Sequence, residues 1–103
     1  MYKLTVFIPD EALDKVKSAL FAAGAGKTGN YEQCCWQVQG IGQFKPLAGS
    51  TPHIGVQDSL AIVDEWRVEM VVKTDAINDA IAALKQAHPY ETPAFDVIAV
   101  LDF

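Results

Sequence analysis

Apolar and polar positions alternate with a period of two in four stretches of the chain, and two stretches of helical spacing lie between them. Tyr2, Leu4, Val6 and Ile8 share one side of an extended segment and Lys3, Thr5 and Phe7 the other, which predicts a first strand over Tyr2 to Ile8. Pro9 stops it. Asp10 is a good N-cap and Glu11 an acidic first-turn residue for a helix whose apolar positions are Ala12, Leu13, Val16, Ala19, Leu20 and Ala23, ending at Gly24. Alternation returns from Glu32 to Gly40, with Cys34, Trp36 and Val38 on one face, and again from Val63 to Lys73, with Trp66, Val68, Met70 and Val72 on one face. Thr74 or Asp75 is the expected cap of a second helix with the stripe Ile77, Ala80, Ile81, Leu84 and Ala87, which Pro89 terminates; Phe95 to Phe103 closes as a fourth strand.

The order βαββαβ is that of a ferredoxin-like α+β sandwich, one antiparallel sheet with two helices on one face. The two halves echo one another, Glu11-Ala12 against Asp75-Ala76, Leu13 against Ile77 and Leu20 against Leu84. Between the second and third strands, Gly40 to Gly55 is dense in breakers, yet Ile41, Phe44, Leu47 and Ile54 make it too apolar for a disordered linker. An added hairpin or ordered loop is expected there. Right-handed crossovers place both helices on the same side, so the opposite sheet face lacks cover within one chain. Half the residues are hydrophobic against 20% charged, and mean hydropathy is +0.14. That apolar surplus points to a homo-oligomer.

Residues 1–103 suffice for one domain with a single core. A net charge of −5, a pI near 4.7 and no run of Lys or Arg argue against nucleic acid. Every apolar run is interrupted before membrane-spanning length, and the N-terminus has no long apolar leader, so the cytoplasm is expected. Cys34 and Cys35 are adjacent, a poor geometry for an intrachain disulfide in a strand, and read as reduced thiols; Cys34, beside Trp36 and Val38, is expected to be buried and inert. Gly26-Lys27-Thr28 is not a phosphate loop, because Phe21 stands where the motif needs its first glycine and the order is helix, loop, strand.

Candidate chemistry concentrates in His88-Pro89-Tyr90-Glu91-Thr92-Pro93, where two prolines stiffen an extended connector. His88 suits metal ligation or proton transfer, but also the plainer task of bonding the last carbonyls of a helix. Glu91 suits a hard cation, or backbone N–H groups. Tyr90 offers a ring to pack and a hydroxyl to anchor. His53 follows Pro52 in the loop, and only the fold could bring it to His88. No catalytic residue set stands out.

Three motifs carry a resemblance: Gly24-Ala25-Gly26 through Gly29, Tyr31 and Cys34; Gly40-Ile41-Gly42-Gln43-Phe44-Lys45-Pro46 with Gly55; and Ala87-His88-Pro89-Tyr90-Glu91-Thr92-Pro93-Ala94-Phe95-Asp96. In this order they resemble the inserted domain of the Ngg-interacting-factor-three family. Full-length members look like dinuclear metal proteins named as GTP cyclohydrolase I type 2 homologues, with their ligands in the halves flanking the insert, so the resemblance implies an accessory domain without its own hydrolase site. The His-Pro-Tyr-Glu segment is also similar to the CutA proteins of divalent-cation tolerance, and the fold to the PII signalling proteins. These relatives imply a trimer with ligand sites between subunits and a small-molecule ligand. The ligand-binding positions so implied are Gly26, Gly29, Tyr31, Phe44, His88, Tyr90 and Glu91. The reading is therefore an oligomeric ligand-sensing or protein-interaction module; the alternative is a divalent-metal-binding protein using His88 and Glu91.

Overall fold

The computed structural model describes all 103 residues. The chain runs β1 (Tyr2–Pro9), α1 (Leu13–Ala22), β2 (Trp36–Phe44), β3 (Ala61–Val72), α2 (Ile77–Ala87) and β4 (Phe95–Ala99), with a single 3-10 turn at Asp10–Ala12. The strands form one sheet in the order β2-β3-β1-β4, and all three pairings are antiparallel. This is the ferredoxin-like order expected from the alternation.

Strand parity decides what is buried. Leu4, Val6 and Ile8 of β1 and Val68, Met70 and Val72 of β3 lie under the helices and join Val16, Leu20, Ala80 and Leu84 in one buried cluster. Full burial of each Val, Leu or Ile side chain among them stabilises the fold by about 1.5–3 kcal/mol. The helix starts repeat at the spacing of the sequence echo. Leu13 and Ile77 open α1 and α2, and the residues before them, Ala12 and Ala76, share φ values of −107° and −106°.

Both helix caps differ from expectation. Neither Ala12 nor Ala76 makes a side-chain cap bond. The Asp10 carboxylate instead accepts the indole N–H of Trp66 at 2.8 Å, and the Thr74 hydroxyl oxygen accepts the N-terminal amine of Met1 at 3.1 Å. Both polar groups are spent on partners remote in sequence.

Strand limits shift as well. β2 begins at Trp36 and extends to Phe44, so part of the breaker-rich run continues the hairpin, while Glu32 to Cys35 is not strand. The chain is diverted there by Gln33, at φ 59°, and by the Cys34 N–H bonded to the Gly26 carbonyl at 2.8 Å. With the parity broken, Cys35 packs against the core and Cys34 is only half-buried, its Sγ 3.8 Å from the Glu32 carbonyl. The fourth strand is also shorter than expected and stops at Ala99; the Val100 N–H still reaches the Met1 carbonyl at 3.1 Å, beyond which no strand pairing continues.

The sheet face opposite the helices has no cover within the chain. It presents Trp36 at 62% exposure, Val38 and Ile98, interrupted by a charged stripe of Lys3, Arg67 and Glu69 in which both cations approach the carboxylate. No helix is long and apolar enough to cross a membrane.

Candidate functional site

The site grows from the end of α2. Pro89 forces His88 out of the helix into extended backbone (φ −70°, ψ 133°), while the His88 N–H still bonds the Leu84 carbonyl at 2.8 Å. The imidazole then turns towards β1. Its Nδ1 accepts the Tyr90 N–H at 3.1 Å, which places the ring proton on Nε2, and Nε2–H donates to the Phe7 carbonyl at 2.7 Å. His88 thus bonds the main chain at both nitrogens, though not the helix's last carbonyls. Its pKa is lowered, chiefly by burial, with the His53 ring adding to the effect; the Phe7 carbonyl and the Glu65 charge oppose it.

Held in this way, Tyr90 packs at a tilt of 59° against the His88 ring (centroids 4.9 Å apart) and against Phe44 (5.8 Å). Its hydroxyl donates to Glu65 Oε2 of β3 at 2.8 Å. Burial first, and then the Glu65 hydrogen bond and charge, push the phenol well above its ordinary pKa, so it stays protonated. Glu65 reaches it by lying across Gly42 of the neighbouring strand, where a Cβ would collide with the carboxylate.

The loop between β2 and β3 folds back on this group. The Thr51 N–H donates to Glu91 Oε2 at 3.0 Å, and His53 sets its Nε2 3.4 Å from Glu11 and its ring 6.3 Å from that of Tyr90. Between loop and connector lies a pocket of about 300 Å³, walled by Phe44, Pro46, His53, Glu65, Tyr90 and Glu91 among others.

Of the sequence candidates, the fold gathers Phe44, Tyr90 and Glu91 on this pocket with His88 behind it. Gly26, Gly29 and Tyr31 do not line it. Gly26 is buried with φ 74°, its N–H on the Val71 carbonyl at 2.8 Å, and a Cβ there would come within 2.8 Å of the Cys34 carbonyl oxygen. Gly29 turns an exposed loop closed by paired bonds between Thr28 and Tyr31, and Tyr31 is 75% exposed. His88 and Glu91 are each bonded to main chain, and no group of three or more His, Cys, Asp or Glu side chains is gathered to hold a metal ion. Sequence reasoning missed Glu65, which looks like any polar residue of an alternating strand. The available signal was the pair Gly40 and Gly42, bare positions on one face of β2 over which a neighbour can lie.

No family model matches the chain. Among curated proteins it is similar to the GTP cyclohydrolase 1 type 2 homolog of Halalkalibacterium halodurans, 44% identical over 97 residues, and to that of Mycobacterium bovis, 42% identical over 99 residues. These alignments cover 94% and 96% of this chain but 26% of each relative, so the chain spans about a quarter of their length. Among solved structures, a Bacillus cereus protein related to NIF3 superposes with TM-score 0.79 at 36% identity, covering 93% of this chain and 24% of that one. CutA1 of Pyrococcus horikoshii superposes with TM-score 0.71 at 18% identity, over all of this chain and 86% of that one. GlnK of Bacillus subtilis does so with TM-score 0.57 at 16% identity, over 96% and 83%. The last two show shared fold alone. Nearly the whole chain therefore corresponds to one segment of the NIF3-related GTP cyclohydrolase 1 type 2 homologues, and that segment has the fold of CutA and GlnK.

Proposed function

We propose that this domain is an oligomeric ligand-sensing or protein-interaction module of the PII and CutA type, with a trimer as its favoured assembly and a small molecule as its ligand. The observation that supports it is the open sheet face, where Trp36, Val38 and Ile98 remain exposed on a sheet with helices on one side only. Burying them between copies removes apolar surface from water at about 25 cal/mol per Å². The pocket at Phe44, Tyr90 and Glu91 is the ligand site in this reading, and no hydrolytic step is assigned to it. The proposed setting is the cytoplasm, where two free thiols stay reduced.

Light scattering tests the assembly. The expected mass is three times the 11.2 kDa of one chain, falling to a single chain when Trp36→Glu and Ile98→Glu place charges on the open face. A wild-type mass of one chain at micromolar concentration would sink the reading.

A divalent cation at His88 and Glu91 is the second proposal, favoured by His53 and His88 flanking the same Tyr90 ring. It requires the imidazole to release Phe7 or Tyr90. Calorimetric titration with Cu²⁺, Zn²⁺ and Ni²⁺ decides it, since absence of saturable heat removes it.

A further inference from the structure

We propose that the pocket between Phe44, Tyr90, Glu65 and Glu91 binds a small organic monocation, an alkylammonium or guanidinium group on an apolar body. The inference rests on the reading above only in taking this pocket as the ligand site.

Charge comes first. Glu65 and Glu91 line the pocket, and no Lys or Arg does. An anionic ligand such as a phosphate or carboxylate would meet like charge with no Lys or Arg to offset it, and the one histidine of the lining, His53, is already set against Glu11 at 3.4 Å. Each carboxylate also has acceptor capacity left over. Glu65 uses Oε2 for the Tyr90 hydroxyl and Glu91 uses Oε2 for the Thr51 N–H, while the second oxygen of each makes no protein hydrogen bond.

The walls select the kind of cation. Phe44 and Tyr90, tilted at 59° to one another, both line the pocket and supply aromatic rings of the kind that attract a positive charge, and Pro46, Pro52 and Ile54 add apolar surface. Such walls disfavour a compact, strongly hydrated ion and suit a delocalised or alkylated one, which loses less hydration on entry. A divalent metal would instead need several ligands converging on one point, and no such group is gathered. The volume of about 300 Å³ sets the size at the lower end of ligand pockets.

The arrangement is also built in. Gly42 leaves the space that Glu65 occupies, and the hydrogen bond from the Tyr90 hydroxyl pins the carboxylate beside the rings.

The test titrates the full chain, labelled with ¹⁵N, with n-butylguanidinium chloride and with its uncharged isostere n-butylurea. The expected result is a saturating shift of the Phe44, Thr51 and Tyr90 amide signals with the cation, in the millimolar range, and none with the urea. The double variant Glu65→Gln with Glu91→Gln keeps hydrogen-bond acceptors for Tyr90 and Thr51 but removes both charges, and is expected to weaken binding at least about tenfold. Phe44→Leu, which removes one ring face and leaves the carboxylates, is expected to weaken it several-fold. Equal binding of the urea, wild-type affinity in the double variant, or no saturation with the cation up to roughly 50 mM would each overturn the proposal. Light scattering on the same samples separates the two readings. An assembled protein that ignores the cation overturns this ligand class and leaves the module standing, whereas a single-chain species that binds it upholds the ligand class and removes the assembly.

Discussion

The helix-covered face of the sheet and the loop end around Tyr90 are held by different forces. Under the helices, Leu4, Val6, Ile8, Val68, Val72, Leu20 and Leu84 are fully buried, and the attraction between them has no direction. Around Tyr90, position is set by a few directed bonds, from the Tyr90 and Thr51 N–H groups to His88 and Glu91, from His88 to the Phe7 carbonyl and from the phenol to Glu65, beside surface that stays partly wet. The covered face supplies stability with tolerance of shape. The loop end supplies little stability but fixes where chemical groups point, which is what a binding site requires.

Substitutions can break this contrast or sharpen it. The largest effect is expected in the covered region, where Leu84→Ala leaves a cavity and should destabilise the chain by about 2–5 kcal/mol in denaturant unfolding. Gly26→Ala comes next, because the new Cβ meets the Cys34 carbonyl at a positive φ; about 1–3 kcal/mol is expected, read as a drop in Tm. At the loop end, Tyr90→Phe deletes the bond to Glu65 and keeps the ring, and about 0.5–1.5 kcal/mol is expected from the same unfolding curves. Loss at position 90 equal to that at position 84 would erase the distinction between the two regions.

Acid provides a smaller and more selective probe. Because the His88 pKa lies below its ordinary value of 6.5 in the fold, the folded state binds fewer protons than the unfolded one. Its contribution is present above pH 6.5 and is lost as pH falls from there towards the lowered folded value. His88→Gln should flatten stability against pH across that window, and an unchanged slope would show that the imidazole is not held neutral. Least of all, Trp36→Ser on the open face should leave the stability of a dilute single chain within about 0.5 kcal/mol and show itself only in the solution mass at concentrations where copies assemble.

The same division explains what could be read from sequence. Period-two alternation in β1 and β3 and the helical stripes declare the covered face, because burial repeats with the geometry of the backbone, whereas in β2 the apolar positions Trp36 and Val38 lie on the open side. Directed contacts do not repeat. Nothing local marks Asp10 as the partner of Trp66 rather than a helix cap, or Thr74 as the partner of Met1. The connector with two prolines was legible as rigid, and its histidine and tyrosine as unusual. That Glu65 and the loop after Phe44 would meet them was not, since the encounter depends on how β2 and β3 pair beyond Gly40.

The His88 ring joins main chain to main chain. With a donor at one end of the ring and an acceptor at the other, the imidazole does what a peptide unit does in a strand, taking an N–H from Tyr90 and giving its own to Phe7. It is in effect an extra main-chain link, inserted sideways where prolines prevent ordinary pairing. The stretch from His88 to Ala94 therefore lacks regular structure without being loose, and the Tyr90 amide is expected to exchange its hydrogen with solvent as slowly as an amide inside the sheet.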